Sequence, residues 1–317
     1  MSKQHVVVVG LGRWGKNLVR NFSELGVLYG VSDCSPQLKD QFASLYSVPA
    51  LTVEEALADP MVTAIAIATP VAQHHAIASQ ALAAGKHVWV EKPVCFDAGQ
   101  CKDLLAMSQQ QARCVFVDYL PVYHPAIQSL KKQLMQQPQP DGQQVMIEAQ
   151  RKAWGVWREE GVIWDLMCHD LAMIKYLFPD LQFKVKNIES RRFYSRSEFP
   201  DYAKVTIESP GYQVVVEASC VHAVKTQQLY VSLADRAYLL DAQAGNQALS
   251  VYHLQHEPMQ LTQELVDYPA NEPLRAAVEH FLACIDEGHA PLTDLHFALE
   301  IENFIRGMHQ ELELING

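Results

Sequence analysis

The first 118 residues alternate between short apolar runs and amphipathic stretches. Five Val- and Ile-rich runs predict buried strands, at Val6–Val9, Val27–Ser32, Ala64–Ala68, His87–Val90 and Cys114–Val117. The stretches between them predict helices, at Lys16–Leu25, Ser35–Tyr46, Val53–Ala58, His74–Ala84 and Ala98–Gln111. Strands that alternate with helices pair in parallel through right-handed crossovers. Residues 1–118 therefore predict a doubly wound α/β domain.

After residue 118 the pattern changes to closely spaced strand-like runs, interrupted by a Gln- and Pro-rich turn at residues 136–142. Strands are predicted at Val145–Arg151, Phe183–Ser190, Ala203–Glu208, Val214–Cys220, Leu229–Leu233, Ala237–Asp241 and Ala248–His253. Helices are predicted at Ala126–Met135, Ile163–Leu177, Leu274–Glu287 and Leu295–Leu314. Residues 119–317 thus predict an α+β domain with a largely antiparallel open sheet, which serves substrate binding and oligomerisation. Its C-terminal helices can pack back on the first domain.

Composition and charge narrow the class of protein. The chain has 317 residues, 49% of them hydrophobic, which suits two globular domains and argues against disorder. With 25 Lys and Arg against 36 Asp and Glu, the formal charge is −11. We therefore expect neither nucleic acid nor an anionic membrane as a partner.

The cysteine pattern and the N-terminus indicate where the protein works. The 7 cysteines include no CxxC pair, which is typical of a reducing compartment. No signal peptide is recognisable, and no apolar run approaches the roughly 18 residues of a membrane helix. We expect a cytoplasmic protein. The 13 histidines show no metal-ligand spacing, so we expect no metal.

A glycine fingerprint directly follows the first predicted strand and opens the first helix. In the Gly10-x-Gly12-x-x-Gly15 segment, the glycines allow a tight turn and close approach of a pyrophosphate to the backbone. Asp33 ends the second predicted strand, where a carboxylate accepts hydrogen bonds from ribose hydroxyls and repels a 2′-phosphate. We predict a Rossmann domain that binds NAD rather than NADP. The predicted contacts are Gly10, Gly12, Arg13, Trp14, Gly15 and Asp33.

Three further segments occur in a recognisable order. They are Ala68-Thr69-Pro70 with His74, the strand end Glu91-Lys92-Pro93, and the helix that contains Asp165 and His169. Together with the glycine fingerprint, they resemble the glucose-fructose oxidoreductase/inositol dehydrogenase (Gfo/Idh/MocA) family over nearly the whole chain. The resemblance implies that Thr69, Pro70, His74, Glu91 and Lys92 contact the cofactor. It also implies that the Lys92–Pro93 bond is often cis.

The chemistry of three residues suits the oxidation of an alcohol. Lys92 follows a parallel strand, at the edge of the sheet where ligands bind, and its ammonium can stabilise a developing alkoxide. Asp165 and His169 are four residues apart on one predicted helix, so the carboxylate can orient the imidazole that accepts the proton. The alternatives are a solvated lysine, a helix-capping Asp165 and a structural histidine.

Several segments are similar to the nucleotide-sugar branch of this family. They are Trp14–Phe22, Val117-Asp118, Tyr123-x-Pro125-Ala126, Trp164–Leu166, His169–Leu171, Glu272–Leu274, His280-Phe281 and Pro291–Asp294. The resemblance implies oxidation of the C3 hydroxyl of UDP-N-acetylglucosaminuronate and a substrate site that includes Lys92, Tyr123, Asp165 and His169. The branch usually has His, Asn and Asn where this chain has Tyr119, Lys152 and Gly161. Because of these departures, a dehydrogenase of a free sugar or cyclitol remains an alternative.

Basic residues cluster on both sides of the predicted Asp165 helix. They are Arg151, Lys152, Arg158, Lys184, Lys186, Arg191, Arg192 and Arg196. In an acidic chain they could form a pocket for an anionic sugar or, alternatively, a solvated basic face. Arg151 matches an arginine of the family, and we predict that its guanidinium binds a carboxylate or phosphate of the substrate.

Two expectations concern partners and the class of protein. An open antiparallel sheet needs one face covered, so we expect a homodimer or homotetramer. The main hypothesis is a dehydrogenase that uses NAD and a sugar or nucleotide-sugar substrate. A non-catalytic NAD-binding sensor or scaffold is the alternative from another class, and it would be indicated by loss of Lys92 or His169, both of which are present.

Overall fold

The structure is a computed structural model that describes residues 4–136, 144–155, 160–194, 198–245 and 248–316. The predicted Gln- and Pro-rich turn lies outside these residues, apart from Gln136. The chain divides into two compact units. The first contains residues 1–120 and 272–302, and the second contains residues 121–271 and 303–317. Within the described ranges, no helix has the length and apolar character needed to cross a membrane.

A five-stranded parallel sheet forms the centre of the first unit. Its strands are β1 (Val6–Val9), β2 (Leu28–Ser32), β3 (Ala64–Ile67), β4 (His87–Glu91) and β5 (Val115–Asp118). Their order across the sheet is β2-β1-β3-β4-β5, with parallel pairing throughout. The chain leaves β1 toward one side and β3 toward the other, which creates a topological switch point at their carboxyl ends.

The helices of this unit begin at local sequence signals. They are α1 (Gly15–Glu24), α2 (Pro36–Tyr46), α3 (Val53–Ala58), α4 (His74–Ala83) and α5 (Ala98–Gln111). Ser35, Thr52 and Asp97 each accept a backbone N–H bond as N-cap residues of α2, α3 and α5. These caps are local, and the predicted helices are confirmed to within one or two residues at each end.

The second unit contains a mixed, mostly antiparallel sheet of eight strands. Its elements in chain order are α6 (Pro125–Gln136), β6 (Val145–Trp154), a π-helical turn (Ile163–Met167), α7 (Cys168–Leu177), β7 (Lys184–Arg191), β8 (Tyr202–Ser209), β9 (Tyr212–Ser219), β10 (Val221–Ser232), β11 (Arg236–Asp241), β12 (Leu249–His256) and β13 (Met259–Leu265). The strand order is β13-β12-β11-β10-β6-β9-β8-β7. Among the described strand pairs of this second sheet, β6 and β9 pair in parallel and the other pairs are antiparallel. The predicted fold class is confirmed.

Two strands differ from the sequence prediction. β10 begins at Val221, eight residues before the predicted start at Leu229, and β13 was not predicted. All seven residues of β13 are exposed. Because a strand exposed on both faces at a sheet edge needs no apolar alternation, periodicity does not reveal it.

Two helices complete the chain. α8 (Pro273–Glu287) belongs to the first unit, and α9 (Leu295–Asn316) is assigned to the first unit as far as Glu302 and to the second beyond it. In the first unit, Trp89 on β4 stacks on Phe116 of β5 at a ring distance of 4.0 Å. Phe22 and Phe281 meet Trp89 edge-on from α1 and α8. This aromatic core fixes β4 beside β5 and thereby places their carboxyl ends together.

In the second unit, alternate residues of the central strands form the core. Val205 and Ile207 of β8 and Val214 and Val216 of β9 are fully or almost fully buried. The π-helical turn packs on β9, and α7 packs on β6. The intervening residues of β8 and β9 are half-buried or exposed. Coverage of that other face by a second copy of the chain stays a prediction.

Candidate active site

The glycine loop between β1 and α1 is shaped by close contacts. Gly10 has a φ of +92°, and a Cβ there would lie 2.7 Å from the carbonyl oxygen of Ala68. A Cβ on Gly15 would lie 1.8 Å from the carbonyl oxygen of Gly10, so both positions require glycine. No described atom lies within 4 Å of the Cβ position of Gly12. This open space beside the start of α1 fits the pyrophosphate of a dinucleotide.

Asp33 follows β2 and holds the glycine loop by its carboxylate. Oδ2 accepts the N–H of Leu11 at 2.7 Å, and Oδ1 accepts the N–H of Ser35 at 2.8 Å. Each oxygen keeps a second lone pair that can receive a ribose hydroxyl. Contact of Asp33 with ribose stays a prediction. In the structure, Asp33 also stabilises the backbone on both sides of the site, at Leu11 and at Ser35.

His74 joins two loops at the carboxyl edge of the sheet. The side chain is buried, with Nδ1 2.9 Å from the carbonyl oxygen of Pro93 and Nε2 2.8 Å from that of Thr69. Burial lowers the pKa of His74, so the neutral ring donates to one of the two carbonyls. The ring thus lies between the Thr69-Pro70 turn and the loop after Lys92 and donates a hydrogen bond to one of them. Direct contact of His74 with the cofactor stays a prediction.

Lys92 directly follows β4, at the carboxyl edge of the first sheet. The Lys92–Pro93 bond is cis, as the resemblance implied. Buried Glu302 braces the backbone beyond it, because its carboxylate accepts the N–H of Val94 at 2.7 Å and the thiol of Cys101 at 3.3 Å. The loop that carries Lys92 is therefore held by side chains of the same unit.

Two carboxyl groups end neighbouring strands beside Lys92. Glu91 is the last residue of β4, Asp118 is the last residue of β5, and the two are direct partners in the parallel register. The indole Nε1 of Trp14, in the glycine loop, donates to Asp118 Oδ2 at 3.0 Å. Burial raises the pKa of both carboxyl groups, and their mutual repulsion raises that of Glu91 further.

Asp165 and His169 lie at the start of the helical segment of the second unit. Asp165 is buried within the π-helical turn, and His169 is half-buried in the first turn of α7. The N-cap position is Val162, so Asp165 does not occupy the capping position that the alternative interpretation required. A single π-helical turn of this kind frequently occurs at functional sites. The catalytic roles stay predictions.

Arg151 differs from the sequence-based expectation. Its Nε lies 3.2 and 3.1 Å from the two oxygens of Asp170, and Nη2 donates to Asp170 Oδ1 at 2.8 Å. Both side chains are buried. The planar guanidinium is thus already engaged by a carboxylate of α7, that of the residue directly after His169. Binding of a substrate carboxylate or phosphate by Arg151 stays a prediction, and Asp170 competes with such a group for the guanidinium.

Much of the predicted basic cluster is also engaged or solvated. Lys152 pairs with Glu217 at 2.8 Å, and Lys184 lies 3.5 Å from Glu208 at an exposed site. Lys186, Arg191 and Arg192 are exposed, which agrees with the alternative of a solvated face. Arg158 and Arg196 lie outside the described residues.

The remaining predicted positions in or near the sugar site are tightly packed. Tyr123 is 3% exposed at the end of a 3₁₀ turn, and Tyr119 is 1% exposed. Gly161 has a φ of +72°, and a Cβ there would lie 2.5 Å from Cβ of Phe199. The asparagine that the nucleotide-sugar branch carries at this position would therefore require Phe199 to move.

Sequence reasoning missed Asp118 and Glu302 as residues that support the site. The signal for Asp118 was present, because an acid ends each of two successive predicted strands. Glu302 had no local signal, since its bonds to Val94 and Cys101 join positions about 200 residues apart. Within the described part of the chain, no three His, Cys, Asp or Glu side chains are arranged to hold a metal ion.

Two dehydrogenases are similar to this chain in sequence, one over most of its length and one over about half. UDP-N-acetylglucosamine 3-dehydrogenase of Acidithiobacillus ferrooxidans is 27% identical over 292 residues, which cover 90% of this chain and 89% of that protein. Galactose 1-dehydrogenase of Pseudomonas fluorescens is 32% identical over 153 residues, 48% of this chain and 49% of that protein.

Solved structures share the fold. That of UDP-N-acetylglucosamine 3-dehydrogenase from Acidithiobacillus ferrooxidans superimposes with a TM-score of 0.83 at 24% identity, over 96% of both chains. Levoglucosan dehydrogenase in complex with NADH gives a TM-score of 0.84 at 16% identity, over 97% of this chain and 96% of that one. Residues 4–119 match the oxidoreductase family with an NAD-binding Rossmann fold. Residues 4–119 thus match the NAD-binding Rossmann domain of the Gfo/Idh/MocA oxidoreductases, and the chain as a whole is similar to dehydrogenases.

Proposed function

We propose that the protein is an NAD-dependent dehydrogenase that oxidises the C3 hydroxyl of a UDP-linked amino sugar. The observation that carries this proposal is the similarity to UDP-N-acetylglucosamine 3-dehydrogenase over 90% of the chain, which includes both units. The glycine loop, the Asp33 carboxylate and the Lys92 strand end support the cofactor part of the proposal, since each lies at the carboxyl edge of one parallel sheet.

In this proposal, different residues of the chain have different roles in the oxidation of the hydroxyl group. NAD, when bound, accepts the hydride from carbon. The Lys92 ammonium stabilises the negative charge that develops on the hydroxyl oxygen. Neutral His169 accepts the hydroxyl proton, and Asp165 stabilises the imidazolium that results. The N–H groups at the start of α1 bind the pyrophosphate.

Charge favours N-acetylglucosamine itself over its uronate as the sugar. A uronate would add a carboxylate to the two phosphates of UDP, and it would need a further cation. Two of the cations that precede the Asp165 segment, Arg151 and Lys152, already pair with Asp170 and Glu217. Breaking a buried ion pair to bind a substrate leaves a carboxylate without its partner. We therefore propose a substrate with an uncharged sugar ring.

A substrate panel tests this proposal. The protein is incubated with NAD and, separately, UDP-N-acetylglucosamine, its uronate, UDP-glucose, galactose and myo-inositol, and NADH formation is followed by absorbance. We expect the highest kcat/KM with UDP-N-acetylglucosamine, and a kcat at least about 10²-fold lower for the Lys92→Met variant assayed in parallel. If galactose is oxidised as fast as UDP-N-acetylglucosamine, the proposal of a nucleotide-sugar substrate is contradicted. If none of the compounds is oxidised, the proposal that the protein is a sugar dehydrogenase is contradicted.

A second candidate is a dehydrogenase of a free aldose. The observation in its favour is the 32% identity to galactose 1-dehydrogenase, which is higher than the 27% identity to the nucleotide-sugar enzyme. The alignment with galactose 1-dehydrogenase, however, covers only 48% of the chain. The same panel separates the two candidates, because a free-sugar enzyme would oxidise galactose without requiring a UDP group.

A further inference from the structure

Glu91 and Asp118 place two carboxyl groups side by side in a largely buried part of the first unit. Both residues end neighbouring parallel strands in direct register, so their side chains leave the sheet on the same side. Asp118 is 2% exposed, and one oxygen of each carboxyl, Glu91 Oε1 and Asp118 Oδ1, is buried with no hydrogen-bond partner among the described residues. Two adjacent carboxylates would repel each other strongly in such a place.

Among the described residues around this pair, one cation faces two carboxyl groups. Lys92 is the cation that acts on both groups, and the Trp14 indole is a neutral donor. Thr293 adjoins β5 through Val117 and is also neutral. A single proton shared between the two carboxyl groups removes the repulsion and gives the buried oxygens a donor, as in other carboxyl pairs that share a site.

The bond from Trp14 connects this pair to the cofactor loop. Trp14 lies between Gly12 and Gly15, and its backbone is the N-cap of α1. The indole reaches Asp118 across 104 positions of sequence, so the bond fixes the glycine loop relative to the end of β5. A loop held in its binding conformation loses less entropy when a ligand binds.

We propose that Asp118 is a positioning residue for the dinucleotide: it shares one proton with Glu91 and, as the acceptor of the Trp14 indole, holds the glycine loop in the form that binds NAD. The inference concerns NAD binding by the family's Rossmann domain and does not depend on the identity of the sugar. It extends the cofactor site to a residue outside the fingerprint and outside the Glu91-Lys92-Pro93 segment.

Binding of NADH to variants tests the positioning role. The dissociation constant is measured by NADH fluorescence titration for the wild type and for Asp118→Asn, Asp118→Leu and Trp14→Phe. Asn keeps a neutral acceptor for the indole, so we expect its dissociation constant to stay within about threefold of the wild type. Leu and Phe remove the bond, and we expect each to weaken NADH binding about tenfold, the size of one lost hydrogen bond.

A double variant and a matched control sharpen the test. Trp14→Phe combined with Asp118→Leu should bind NADH no more weakly than Trp14→Phe alone, because Trp14→Phe already removes the donor of the bond to Asp118. Tyr29→Phe removes a bond of Tyr29 to the Asp59 carboxylate in the same unit and should leave the dissociation constant unchanged. Losses that add in the double variant, or an Asn variant as weak as Leu, would overturn the proposal.

Infrared spectroscopy tests the shared proton without any ligand. The difference spectrum of the wild type minus Asp118→Asn at neutral pH should contain the C=O band of a protonated carboxyl, and Glu91→Gln should remove the same band. Absence of that band in the wild type would overturn the shared proton. If Asp118→Leu does not fold, the infrared spectra and the Asn and Trp14→Phe titrations still decide the question.

Discussion

Single side chains brace the backbone at the carboxyl edge of the first sheet. Asp33 accepts two N–H groups from the residues around it, His74 lies between two carbonyls, and Glu302 accepts the N–H of Val94. In each case a side chain supplies a hydrogen bond that a loop backbone otherwise lacks. The loops that are predicted to contact the cofactor are thereby fixed before it binds.

The choice of NAD over NADP is predicted to depend on Asp33. If its carboxylate receives the ribose hydroxyls and repels a 2′-phosphate, Asp33→Ala should weaken binding of NADH far more than binding of NADPH. Both dissociation constants are measured by fluorescence titration. Because Asp33 also holds Leu11, some loss is expected for both cofactors, and an equal loss would show that Asp33 does not discriminate between them.

The proposed oxidation of the hydroxyl group depends on the side chains of Lys92 and His169. If the ammonium stabilises the alkoxide and the imidazole accepts the proton, Lys92→Met and His169→Ala should each lower kcat about 10²–10⁴-fold. The dissociation constant of NADH should change little in the His169→Ala protein, since His169 belongs to the second unit. A His169→Ala enzyme with nearly normal kcat would assign the proton transfer to another group, for example Tyr123 or water.

The stability of the first unit should depend on the protonation of His87. Burial, together with nearby Arg113, lowers the pKa of His87 to about 4, and its Nδ1 accepts the N–H of Cys114 at 3.0 Å. In an unfolded chain the pKa of histidine is about 6.5. Between these values the unfolded chain takes up a proton that the folded chain does not, so stability falls as the pH decreases through this window.

Replacement of His87 by Asn isolates that contribution. Asn keeps an acceptor for Cys114 and cannot be protonated. Between pH 7 and 4.5, we expect the free energy of unfolding of the wild type to fall further than that of His87→Asn, by on the order of 2 kcal/mol after an allowance for partial exposure. Urea titrations at both pH values measure it. The same pH dependence in both proteins would mean that His87 is not the group responsible.

At the scale of elements, the Arg151–Asp170 pair joins β6 to α7. The guanidinium makes three contacts with a carboxylate that is 1% exposed. Burial raises the pKa of Asp170, and Arg151 acts in the opposite direction. This pair fixes the helix that carries His169 on the sheet, so Arg151 supports the proposed catalytic residue through the fold.

Removal of one partner should therefore destabilise the second unit. Arg151→Met leaves a buried carboxylate without its counter-ion, and we expect a loss of about 3–5 kcal/mol in the free energy of unfolding by urea. Arg151→Met combined with Asp170→Leu should lose less, because no charge remains buried. If the double variant is less stable than Arg151→Met alone, the carboxylate has another role in the fold.

The elements that sequence reasoning predicted well are those with local signals. The Gly10–Gly15 loop, the helices α2, α3 and α5, and the helical segment from residue 163 to 177 all depend on neighbours in sequence, and the structure shows that local N-caps begin the three helices. The strand β13 has no such signal because its side chains remain in solvent.

At the scale of the whole chain, pairs between distant positions could not be predicted. The positive charge of Arg151 suits an anionic ligand. Only the tertiary structure shows that its guanidinium already forms an ion pair with Asp170. The same applies to Trp14 with Asp118 and to Val94 with Glu302. The fold class and the candidate residues could thus be predicted from patterns, whereas the partners of those residues depend on tertiary structure.

The proposed function requires hydride transfer from C3 of a UDP-linked amino sugar to NAD. It is tested most directly with UDP-N-acetylglucosamine that carries deuterium at C3. After incubation with the protein and NAD, the reduced cofactor is isolated and its mass is measured, with the His169→Ala variant as a control. The account predicts reduced cofactor that contains the deuterium, and far less of it from the variant. Reduced cofactor without deuterium, or none at all, would contradict the claim.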